Sequence, residues 1–200
     1  VMGARFATIT GNWTSYGATG LNEGTSTITF DSTGAQTINT TGGESFYVLR
    51  KNNTGTLTFN SNVAIAAGGN LNLSAGTINA GTNSFTGTAT SALNMSGGTL
   101  RLAKLNVTLP EFSISSYNIT GGTIVLDGAG TQTLRGARDY RNLTFSVSGT
   151  KGISSAINNI TGTVTVANTV ILDVANNTMG GTGTNLTMTG TSVYKTAGAS

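Results

Sequence analysis

The residues of this chain that could do acid–base or ionic chemistry are few. Its acids are Glu23, Asp31, Glu44, Glu111, Asp127, Asp139 and Asp173, set against ten lysines and arginines, and histidine and cysteine are absent. Without histidine there is no Ser-His-Asp or Cys-His arrangement, and the commonest general base is missing. Without cysteine there is no thiolate metal site and no disulfide framework. The densest run of charge is "RGARDYR", Arg135 to Arg141. There Arg135, Arg138 and Arg141 could hold an anionic sugar or a phosphate, since guanidinium groups bind such oxyanions with paired hydrogen bonds. The competing reading is a solvated loop in which Asp139 pairs with a neighbouring arginine. Trp13 and Tyr16 in "GNWTSYG" are spaced as a sugar-stacking pair, or as aromatics that cap the end of a packed unit. The glycine-rich "GGTGTN" does not open a helix after a strand, so it reads as a corner and not a phosphate loop. Calcium-binding nonapeptides need a recurring aspartate, which the sequence lacks. No catalytic residue, cofactor or metal ligand is assigned.

These residues must be positioned by a repeat. "LNLSAGTI" (residues 71–78), "LNMSGGTL" (93–100), "YNITGGTI" (117–124) and "LTMTGTSV" (186–193) are near copies. Taking the residue after each apolar-polar-apolar triplet as a marker gives Ser74, Ser96, Thr120, Thr144, Ala167 and Thr189, with Arg50 and Ser26 by backward extension. A fixed period of this size signals a solenoid, propeller or array. The local alternation in "NLNLS", "TVTVA" and "TITF" has period two, the mark of a strand. The fold expected is all-β: a parallel β-helix of about eight coils of 22–24 residues, each coil two or three short strands with Gly or Asn corners. At about 4.8 Å per coil it is roughly 40 Å long. Leu73, Met95, Ile119, Val166 and Met188 form an inward stripe, with Asn72, Asn94, Asn118, Asn142, Thr165 and Thr187 facing out. A longer echo, "TITFDSTGAQTI" (27–38) with "TIVLDGAGTQTL" (123–134), suggests that four coils make one larger unit. It puts Asp31 and Asp127 about 19 Å apart, beyond the roughly 5–10 Å of a glycosidase pair. Two immunoglobulin-like domains would explain the long echo but not the short one.

Composition narrows the setting. Only 8% of residues are charged, against the usual quarter or so, and there are 29 glycines, one proline and a net charge of +3. Solubility must come from hydroxyls and amides, which suits an extracellular protein. No apolar run is long enough to span a membrane, and basic residues are not interleaved with aromatics, which argues against nucleic acid. The whole of residues 1–200 reads as one solenoid segment, an excerpt of a longer protein. Thr-x-Thr runs invite an ice-binding reading, but their spacing along the sequence is irregular.

"GNWTSYG", "GTSTITFDSTGAQTI" and "FYVLRKNNTGTLTFNSNVAIAAGGNLNLSAGTINAGTNSF" resemble the repeats of very large secreted, adhesin-like surface proteins of Bacteroidota exported by the type nine secretion system. That resemblance implies a parallel β-helix at the cell surface that acts in adhesion, gliding or biofilm. It implies extracellular glycans or proteins as partners, and the secretion machinery during export. It also implies that Asp31-Ser32-Thr33 is an O-glycosylation signal with Ser32 as acceptor; the later copy, Asp127-Gly128-Ala129, lacks the hydroxyl. The role expected is a structural stalk with adhesive capacity. The alternatives are a carbohydrate-active β-helix of lyase or hydrolase type and an ice-binding solenoid.

Overall fold

The structure is a computed structural model that describes residues 3–16, 24–112, 116–182 and 185–196. Among the described residues there are 23 strands and no helix. Every strand pairing is parallel. A β-solenoid of about eight turns results, as the repeat predicts. The antiparallel sandwich of an immunoglobulin-like pair is excluded.

The pairings define a prism with three sides. On the first side, Phe6–Ile9 carries Thr27–Phe30, then residues 48–51, 70–73, 92–95 and 116–119. On the second, Trp13–Ser15 carries Gln36–Thr40, Thr56–Phe59 and Thr77–Asn79. That side continues through residues 99–102 and 123–126 to Asn142–Phe145, Val164–Val166 and Leu186–Met188. The third side starts with residues 44–46, 63–65, Phe85–Gly87 and Glu111–Phe112. Above it run Thr108–Leu109, Gln132–Leu134, Gly149–Ile153, Val170–Ala175 and Val193–Thr196. The handover between these two stacks falls at the cis Leu109–Pro110 peptide. Thr108 and Leu109 pair with the coil above, and Glu111 and Phe112 with the coil below.

Period-two sequence becomes period-two burial. "TITF", "TLTF" and "NLTF" each alternate half-buried with buried residues. The apolar positions fuse into one core that runs from Ile28 to Val174. Edge-to-face aromatic pairs stack within it, Phe59 on Phe85 and Phe85 on Phe112, with centroids 5.1 and 4.8 Å apart.

Three expectations are corrected. Of the inward stripe, Leu73, Met95, Ile119 and Val166 are buried, but Met188 is 37% exposed, because among the described residues no further strand pairs with Leu186–Met188. The coil length varies more than 22–24: Ala92 pairs with Ser116 across 24 residues, but Thr123 pairs with Asn142 across 19. Asn142 therefore stacks on Thr123 of the second side, not on Asn118 of the first. Thr165 and Thr187 follow Thr144 in the neighbouring file of that side. The short Asp139–Tyr140 strand takes the first-side place instead, in a separate sheet with Ile157–Ile160 and Met179–Gly181. Finally, the long echo is not four coils. Residues 27–30 lie on the first side and residues 123–126 on the second. The 96-residue echo is thus four coils plus one side, so the same strand–corner–strand device is reused one side further around the prism.

Candidate functional site

Two corners built from that echo hold the most unusual chemistry. Each begins with an aspartate directly after a strand and closes on a buried glutamine five residues later. At the first, Gln36 accepts the Ser32 amide at 3.2 Å and donates to the carbonyls of Ile9 and Gly11 one coil below, at 2.8 and 2.7 Å. At the second, Gln132 accepts the Gly128 amide at 2.8 Å and donates to Leu102 and Lys104 at 2.9 and 3.0 Å. A glutamine carries both donors and acceptors, so one side chain satisfies the open backbone groups of two coils.

A buried lysine from the following coil completes each corner. Lys51 Nζ donates to the carbonyls of Ser32 and Asn53 at 3.2 and 2.6 Å. Lys151 Nζ donates to those of Gly128 and Gly130, the latter at 3.0 Å. Both lysines are fully buried. Burial lowers both pKa values, Lys151 to about 8, while the nearby charges of Asp31 and Asp127 act in the opposite direction. Lys51 arrives from the strand before its corner, aligned with Phe30, and Lys151 from the strand after its corner, aligned with Gln132. The echo in the sequence pointed to Asp31 and Asp127 but not to the lysines, which lie 100 residues apart and outside the matching stretch.

The two aspartates sit on different corners of the prism, four coils apart along the axis, and each has its own partners. Asp31 accepts from Asn53 Nδ2 at 3.3 Å. Asp127 Oδ2 accepts from Arg101 Nε and Nη2 at 2.9 and 2.6 Å, while its Oδ1 is buried without a hydrogen-bond partner. Among the other acids, Glu111 pairs with Lys104 at 2.6 Å and Asp173 with Lys195 at 3.8 Å. Glu44 is buried and accepts the Trp13 indole N–H at 2.7 Å. Glu23 lies outside the described residues.

The three arginines of the basic run are not brought to one point. Arg135 Nε donates to the Pro110 carbonyl at 3.1 Å, and Arg138 stacks over the Tyr117 ring at 5.0 Å. Both act on Tyr117, whose pKa burial pushes up to about 12. Arg141 reaches away to the Thr161 carbonyl on the next coil at 2.5 Å. The run is only partly solvated: Ala137 and Asp139 are exposed, while Gly136 and Tyr140 are buried and Tyr140 donates to the Arg135 carbonyl at 2.6 Å. Trp13 and Tyr16 are no pair either: Trp13 packs edge-on against Phe46 at 5.4 Å, whereas Tyr16 is 86% exposed. Ser32 is half-buried at its corner and its hydroxyl accepts the Gly34 amide at 3.0 Å.

Outside the corners the surface is polar and periodic. Asn94 donates to Asn72, and Asn72 to Asn70, at 2.9 and 2.7 Å. The Asn72, Asn94 and Asn118 file borders a hollow of about 90 Å³ with Ser74, Ser96 and Thr120. On the second side Thr56, Thr77, Thr99 and Thr123 stand in one file. The neighbouring file is broken by Asn79, Arg101 and Val125. The Thr-x-Thr array is therefore more regular in space than along the sequence, yet interrupted at its middle. Among the described residues no three acids cluster as a metal site would require, and no helix is long and apolar enough to cross a membrane. Comparison with models of known families, with characterised proteins and with solved structures returned no match.

Proposed function

We propose that this chain is a stalk and adhesive segment of a large secreted surface adhesin, of the kind that Bacteroidota export by type nine secretion. The observation that carries this reading is the unbroken apolar core under outward faces of amide and hydroxyl. Such a rod extends by adding coils, and its stiffness comes from backbone hydrogen bonds that every coil makes to its neighbours. Asp31, Glu44, Glu111, Asp127 and Asp173 are engaged in holding corners and coils together, and Asp31 and Asp127 are too far apart to act as a glycosidase pair. Partners at the cell surface are glycans or proteins, met by shallow polar faces whose weak contacts gain strength from repetition. Arg135, Arg138 and Arg141 contribute at most separate anion contacts, and Ser32 at its partly exposed corner is the O-glycan acceptor.

The enzymatic alternative is tested by incubating the purified chain with pectin, alginate and glycosaminoglycans, with and without calcium. The stalk reading expects no new chain ends. Cleavage that disappears in Asp127→Asn or Asp139→Asn overturns it. Mass analysis of the Ser32 peptide from the native host should find an O-linked glycan; an unmodified peptide throughout removes that assignment.

A further inference from the structure

We propose that the Asp127 corner is a binding site for a primary ammonium cation, occupied in this chain by its own Lys151. The Lys151 ammonium stands among the Gly128 and Gly130 carbonyls, with the Asp127 carboxylate as the nearby negative charge. Two carbonyl oxygens are the direct acceptors of this cradle, and the carboxylate acts through its charge alone, its Oδ2 being paired with Arg101. Gln132 fixes the loop to the coil below through three hydrogen bonds. The second observation is the buried Asp127 Oδ1, an acceptor without a partner in a molecule whose other corner leaves none. There the equivalent oxygen of Asp31 is taken by Asn53, a residue that the Asp127 corner lacks. A cation held by loop carbonyls can come from any source, and here it is delivered by the next coil.

The inference predicts chemical rescue. Lys151→Ala should lower the melting temperature by several degrees. Methylammonium chloride should restore part of that loss in a saturable manner. Tetramethylammonium chloride at equal ionic strength should not, because it has no N–H to donate. Lys151→Met, whose side chain fills the channel without a charge, should be insensitive to methylammonium, as should the wild type and the double variant Lys151→Ala, Asp127→Asn. Lys51→Ala should be rescued less, since Asn53 already occupies its aspartate. If Lys151→Ala does not fold, the same titration reads recovery of the β circular dichroism signal. Equal responses to methylammonium and tetramethylammonium, or equal responses of Lys151→Ala and Lys151→Met, overturn the proposal.

Discussion

Leu73 and Asn72 are neighbours in one strand, yet the solenoid assigns them opposite environments. Leu73 is 1% exposed in the core, while Asn72 is half-buried in the outward amide file. Leu73→Asp should cost more than about 4 kcal/mol, since it removes a core side chain and buries an unpaired charge. Asn72→Asp should cost about 1 kcal/mol, the loss of one amide donor. Denaturant midpoints separate the two, and equal losses contradict the assignment of faces. The alternation that distinguishes them was legible in the sequence. The buried polar groups were not, because lysine and glutamine normally lie at the surface and only the corner geometry draws them in. Those groups predict an alkaline signature. Lys151 titrates near 8 in the fold and near 10.5 when unfolded, so across that window the unfolded chain holds more protons and stability rises with pH. Tyr117, shifted to about 12, works the other way: above pH 10 the fold holds the extra proton, and stability falls. Melting temperature should therefore climb from pH 8 toward 10 and then decline, and Lys151→Met should flatten the climb.

At the scale of the coil, corners decide more than strands. Gly122 has φ +78°, and a Cβ there would lie 2.4 Å from the Gly97 carbonyl oxygen and 2.6 Å from that of Gly98. The stacked corners approach so closely that the backbone itself fills the space. Gly122→Ala should cost about 3 kcal/mol, from left-handed strain together with the clash. Gly81, at φ +55° with open space around its Cβ position, should lose only about 1–2 kcal/mol on the same change. Unfolding midpoints of the two variants give the comparison; equal costs contradict close corner stacking. The markers Ser74 and Ser96 kept their coil spacing because "SAGT" and "SGGT" corners are alike. Thr144 misled because "RGARDYR" takes a tighter path: Tyr140 turns inward and the following triplet lands on the second side. A one-dimensional period counts residues but does not record which side of the prism a strand occupies. For the same reason the 96-residue echo reads as whole coils until the pairings reveal the extra side.

For the whole molecule, eight steps from Phe6–Ile9 to Leu186–Met188 give a rod about 38 Å long. The core has no break along it, and in the last described coil the inward-facing Leu186 and Met188 are exposed. The parallel stack, its core and its coil number were legible in the sequence because each rests on a repeated pattern. The pairing of Lys51 and Lys151 with their corners was not, because it depends on which coil lies above which. The central claim is that this stretch works by its length and stiffness and not by any one residue. The most direct measurement is attachment under flow of the host that makes the protein, after residues 1–200 are replaced by an unrelated β-solenoid of equal length. The account predicts that attachment survives this exchange and drops when the stretch is simply deleted. Attachment lost on exchange, or unchanged on deletion, contradicts it.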